Sequence, residues 1–126
     1  MARVLLVEDD AAIAEAVRHA LEAEGYEVAQ AWNGLEALEA LSAQPRPHLL
    51  LLDLMMPVMT GWQLMEELAQ DTRLAAIPIV VTSAASSAEE HPGRDFLKKP
   101  YTLGELISVV EKHAAEAGVL PRALAG

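Results

Sequence analysis

The sequence predicts an α/β domain built on a parallel sheet with helices on both faces, and three features predict it. His48 is followed by four leucines, Leu49 to Leu52, and then by Asp53, a run that fits a strand buried on both faces. Arg3-Val4-Leu5-Leu6-Val7 has the same design and ends as abruptly, in Glu8-Asp9-Asp10. Apolar stripes at helical spacing alternate with such runs, the order expected of βαβ units with right-handed crossovers.

Taken in order, Arg3–Val7 reads as the first strand. Ile13, Val17, Ala20 and Leu21 then stripe a helix from Ala11 to Glu24, with Gly25 as its stop. Tyr26 to Ala31 alternates as a half-covered edge strand would. Asn33 can cap a second helix with Glu36 three residues on, striped by Leu35, Leu38 and Leu41, until Pro45 and Pro47 end it before the leucine strand. Thr60-Gly61-Trp62-Gln63 opens a third helix with a capping-box pattern and buries Leu64, Met65 and Leu68. Ile77 to Thr82 is a fourth strand, its proline tolerable near the start. Arg94 to Lys98 is a weaker fifth. Thr102 to Glu105 is another capping box, opening a helix striped by Leu103, Leu106, Ile107 and Val110 to about Ala117. Between the fourth and fifth strands, Pro92-Gly93 stops any helix begun at Ser87 within about a turn.

At 126 residues the chain is read as one domain over 1–117, with 118–126 as a C-terminal tail or linker stub. Hydrophobic residues make up 52%, enough for a real core. No run is long enough to span a bilayer and no leader segment is evident, so a cytoplasmic protein without a membrane partner is expected. Cysteine is absent, which excludes disulfides, thiolate catalysis and thiolate metal sites. Nine Lys and Arg against 19 Asp and Glu give a net charge of −10, so no nucleic-acid binding by this chain alone is expected. The histidines (His19, His48, His91, His113) show no convergent pair and read as surface residues. Met55, Met56, Met59 and Met65 read as packing. Trp32 and Trp62 read as half-buried anchors or as partner contacts.

Chemistry concentrates at strand ends. Alone, Asp53 reads as a loop cap beside a proline. In a parallel sheet, however, Glu8 and Asp9 after the first strand, Asp53 after the third, Thr82 after the fourth and Lys99 after the fifth all fall on one edge. Three carboxylates held together repel one another unless a cation intervenes, and Mg²⁺ with oxygen ligands is the natural neutraliser. Lys99 offers a compact positive charge and Thr82 a hydroxyl donor.

Val7-Glu8-Asp9-Asp10, Leu52-Asp53 with Met56-Pro57 and Gly61, Val81-Thr82-Ser83 and Lys99-Pro100-Tyr101 together resemble the receiver domain of two-component response regulators over almost the whole chain. The resemblance implies a doubly wound, flavodoxin-like five-stranded parallel sheet of order 2-1-3-4-5. The helix between the fourth and fifth strands, the family's helix 4, is expected to be shortened or missing here. The resemblance further implies that Asp53 accepts a phosphoryl group from a histidine kinase or a histidine phosphotransfer protein. Asp9, Asp53 and the backbone carbonyl of Met55 would ligate Mg²⁺, with Glu8 acting through water. Lys99 and Thr82 would contact the phosphoryl oxygens, Phe96 would stand at the switch aromatic or serve as an ordinary core residue of the fifth strand, and Pro100 would follow a cis peptide bond. The output would be a change in binding to a downstream target protein, and the only catalysis the chain's own phosphoryl transfer and autodephosphorylation. Two alternatives are a receiver-fold interaction module acting without phosphorylation and a haloacid-dehalogenase-like phosphatase. Against the latter, Asp53 lies on the third strand and Met55 stands where a second Asp would be needed.

Overall fold

The computed structural model describes residues 2–43, 46–56, 58–84 and 95–118. Five strands, β1 (Arg3–Val7), β2 (Glu27–Ala31), β3 (Leu49–Asp53), β4 (Ile79–Ser83) and β5 (Asp95–Lys98), form one sheet in the order β2-β1-β3-β4-β5. Every neighbouring pair is parallel. The helices are α1 (Ala11–Ala23), α2 (Gly34–Ser42), α3 (Gly61–Ala69), α4 (Thr72–Ala75) and α5 (Leu103–Glu116). The expected strand order is thus the observed one. The expected shortening between β4 and β5 falls on residues 85–94, outside the described residues, as do 119–126 of the expected tail.

β3 shows why four leucines stand in a row. Successive side chains of a strand point to opposite faces. Leu49 and Leu51 enter the core shared with α1 and α5, while Leu50 and Leu52 enter the core shared with α2 and α3. All five β3 residues are buried, Asp53 included. Edge strand β2 is buried only in part, in keeping with its alternating composition.

Several boundaries differ from the sequence reading. β4 begins at Ile79 rather than Ile77, because the Ile77 N–H closes back onto the Leu74 carbonyl at 3.1 Å and Pro78 has no N–H to give a ladder. The four-residue α4, capped by Asp71, is too short to carry an apolar period. Leu35 and Leu103, expected in helical stripes, are exposed; Ala37 and Leu41 face the core from α2, and Leu106, Val110 and Ala114 from α5. Met55, expected to pack, is 57% exposed. Two histidines are tied into the fold. His48 Nδ1 accepts the Arg3 N–H at 3.0 Å, and His113 Nε2 lies 2.6 Å from Asp95, which Lys112 also reaches at 3.1 Å. Burial first, and then Arg3, hold the His48 imidazole below its ordinary pKa of 6.5. A neutral ring is also what the Arg3 bond requires.

Gly61 sets the distance between α3 and the end of β3. A Cβ there would lie 2.7 Å from Leu54 Cα and 2.8 Å from the Asp53 carbonyl oxygen, both backbone atoms that cannot step aside. Gly61→Ala is expected to destabilise the fold by about 1–3 kcal/mol, read from urea denaturation. The His48 contribution is fully present above pH 6.5 and is lost as pH falls toward the ring's depressed value. His48→Gln should remove that slope from the pH–stability curve.

Candidate functional site

The site lies at the carboxyl edge of the central strands and follows from their register. Asp53 sits opposite Thr82 in the β3–β4 ladder, and Val7, the last residue of β1, sits opposite Leu52, so Glu8 and Asp9 emerge beside Asp53. Oxygens of Glu8, Asp9 and Asp53 lie within 4.8 Å of one another. Glu8 and Asp53 are buried, whereas Asp9 is exposed at the mouth. The third acid of the run, Asp10, is used structurally: its Oδ1 accepts the Ala12 and Ile13 N–H groups at 3.0 and 3.1 Å and caps α1.

Lys99 enters from the far side. Its Nζ donates to Glu8 Oε1 at 2.7 Å and stands 3.5 Å from Asp53 Oδ1, which also accepts the Met55 N–H at 3.3 Å. The lysine is aimed by the Lys99 N–H bond to the Ser83 carbonyl at 3.0 Å and by a cis Lys99–Pro100 peptide, as expected. Its neighbour Lys98 turns outward and donates to the Ala84 carbonyl at 3.0 Å. Glu8, Asp9, Asp10, Ile13, Asp53, Met55, Ala84 and Lys99 line a cavity of about 480 Å³. Ile13 and Ala84, small parts of the rim, carry no chemical type that sequence reasoning could have selected.

The electrostatics are those of a crowded acid pair. Burial first, then the Glu8 charge, push the Asp53 carboxyl from 3.8 up to about 6, against the pull of Lys99. Lys99 is itself held above its ordinary value: burial opposes its charge, but the hydrogen bond and charge of Glu8, with Asp53 behind them, prevail. The phenol of Tyr101, two residues on, is pushed up to about 12 by burial and then by Glu8 and Asp53, so it stays protonated.

Two sequence-selected residues stand apart from this cluster. Thr82 is buried beside Asp53, yet its hydroxyl donates to the Leu52 carbonyl at 3.5 Å. Phe96 packs partly buried against the core shared with α2 and α3, on the face of β5 opposite Leu97. Val58, in the loop from β3 to α3, has a positive φ of 69°. For a β-branched residue the left-handed region costs about 1–2 kcal/mol. Nothing in the letter Val announces it.

Residues 4–111 match the response regulator receiver domain family. The chain belongs to that family. As a receiver it is 33% identical over 98% of its length to the DNA-binding dual master transcriptional regulator RpaA of Synechocystis, covering 53% of that protein. It is 38% identical to the response regulator MprA of Mycobacterium ulcerans over 84% of its length and 47% of that protein's. It therefore spans about half the length of these relatives. Among solved structures, the receiver domain of the Francisella response regulator 1452 superposes with a TM-score of 0.82 at 28% identity, covering 93% of this chain and 99% of that one. The chemotaxis response regulator CheY4 of Vibrio cholerae gives 0.81 at 30% identity, covering 90% and 98%. No helix among the described residues is long and apolar enough to cross a membrane.

The raised Asp53 carboxyl has a signed consequence for the metal-free protein. Its proton stabilises the fold fully below pH 3.8, and that contribution is lost as pH rises through about 6. Asp53→Asn should therefore be more stable than the wild type at pH 8, with the gap narrowing as pH falls below about 6, in denaturation curves taken with chelator present.

Proposed function

We propose that this receiver is a phosphoacceptor in a two-component relay, taking a phosphoryl group from a phosphohistidine onto Asp53 and switching its binding to a downstream protein. The observation that carries the reading is the meeting of Glu8, Asp9, Asp53 and Lys99 in one cavity, with Asp53 buried but reachable from it. Asp9 and Asp53, with the Met55 backbone carbonyl, are the residues that would hold Mg²⁺, Glu8 acting through water. The all-oxygen donor set and the raised Asp53 carboxyl both fit such an ion. When bound, the ion neutralises charge between Asp53 and an anionic donor.

The remaining chemistry belongs to the chain. An Asp53 carboxylate oxygen forms the bond to phosphorus as the phosphorus–nitrogen bond of the donor breaks. The electron pair leaves on the ring nitrogen, and a proton carried on the ring's other nitrogen lets the donor depart as neutral imidazole. Lys99 fixes a positive charge where the transferring oxygens gather negative charge, and Glu8, at 2.7 Å, holds it there. The acyl phosphate carries about −2 charge and offers strong acceptors. Against these, the 3.5 Å bond of Thr82 to Leu52 is weak competition, so the hydroxyl turns to a phosphoryl oxygen and Phe96 repacks behind it. The chain turns over no external substrate beyond its own phosphorylation and autodephosphorylation. We place it in the cytoplasm, and a charge of −10 opposes nucleic acid as its partner.

Incubation with Mg²⁺ and acetyl phosphate should add one phosphoryl mass by intact-mass spectrometry, and Asp53→Asn should add none. Absence of any gain in the wild type would instead establish an interaction module that works without phosphorylation. Lys99→Ala should slow loading by about 10²-fold, the scale of a lost preorganised charge in phosphoryl transfer. Thr82→Ala should slow it only about fivefold, the worth of one neutral hydrogen bond.

A further inference from the structure

Two cavities meet at the carboxyl edge of the sheet. The one that holds Asp53 shares Ile13, Ala84 and Lys99 with a second of about 360 Å³. The second is apolar where the first is charged: Ala16 and Val17 of α1 line it, with Pro100, Tyr101 and Leu103 from the stretch that opens α5. Val17 is buried and Tyr101 packs half-buried against the same core, so the floor is fixed. Ala16 and Leu103 are exposed and leave the cavity open to solvent. Nothing in the relay chemistry uses this space. An apolar cavity of about 150 Å³ is enough to hold benzene, so this one takes a ring or a chain of several carbons.

Charge decides which end of a ligand lies where. Lys99 lines both cavities, with its Nζ 3.5 Å from Asp53, so a transferring phosphoryl group belongs beside it on the Asp53 side. In an in-line displacement the leaving group points away from the attacking Asp53 oxygen, and so toward the rim of the charged cavity. Asp9 and Asp10, exposed on one part of that rim, repel a departing carboxylate. Ile13 and Ala84 do not, and it is with them that the apolar cavity begins.

We propose that the apolar cavity holds the hydrocarbon chain of an acyl phosphate, so that this receiver takes phosphoryl groups directly from acyl phosphates and favours chains longer than acetyl. The inference rests on the phosphoacceptor reading and names a class of small donor for the same site. In the step, an Asp53 carboxylate oxygen forms the bond to phosphorus as the bond between phosphorus and the acyl oxygen breaks. The electron pair leaves on that oxygen as a carboxylate, and no proton has to move. Binding energy from the chain, remote from the reacting atoms, speeds loading as long as the donor is below saturation.

The test times loading by acetyl, propionyl, butyryl and pentanoyl phosphate, with Mg²⁺ present and each donor well below saturation, by intact-mass spectrometry. The leaving carboxylates are of nearly equal basicity, so chain length acts through binding alone. The wild type should load about two- to threefold faster for each added methylene, somewhat less than full burial of each would give. Ala16→Phe fills the cavity from an exposed helix position; it should keep the acetyl phosphate rate and lose the rise. Leu103→Ala takes away a wall without adding bulk and should lower the rise, read relative to its own acetyl phosphate rate. A wild-type rate that is flat or falls with chain length overturns the proposal. So does a rise that persists unchanged in either folded variant, since the chain then lies elsewhere on the rim. Loading of the wild type by none of these donors would strike the phosphoacceptor reading itself, a distinguishable result.

Discussion

Mutual repulsion between carboxylates at the end of a parallel sheet is the constraint that organises this protein. Buried Glu8 and Asp53 sit together with Asp9 at the mouth, and one cation of the chain, Lys99, lies between the two buried groups. Burying charges is costly unless they are paired, and here the pairing is incomplete, as the raised Asp53 carboxyl records. The sheet tolerates that frustration because everything beneath it is apolar and closely packed, with β3 buried from end to end. The unfavourable charge is thus confined to one edge, at the cavity that the proposed ion and phosphoryl group would enter.

The same logic explains how the lysines divide their work. Lys98, the last residue of β5, and Lys99, just beyond it, point in different directions, one to the Ala84 carbonyl outside and one to Glu8 and Asp53 inside. Thr82, in register with Asp53, stands ready with a long bond to a neighbouring carbonyl in place of a strong partner. A bond that long is a weak one, and little of the fold's stability rests on it.

How much of this was legible in the sequence depends on what fixes each feature. β3 could be read because a strand buried on both faces needs an unbroken apolar run, and the converging acids could be read because parallel strands all end on one edge. The capping boxes at Thr60 and Thr102 are present as reciprocal bonds, since the pattern itself encodes them. Periodicity gives a stripe but not its rim, so Leu35 and Leu103 were placed inside when they lie at the first turn, beyond the sheet's cover. The Asp95–His113 pair joins residues 18 apart whose meeting depends on how α5 lies across β5. The left-handed valine had no local signature, because its backbone is imposed by the loop and not chosen by the residue.

β5 is fastened at both ends. Above, Lys99 N–H bonds to Ser83; below, Asp95 is gripped by Lys112 and His113 of α5. Both ends of the strand are anchored to other elements, β4 at one and α5 at the other. The grip on Asp95 and the lysine that lines the cavity thus stand at opposite ends of one four-residue strand, tied to each other through its ladder with β4.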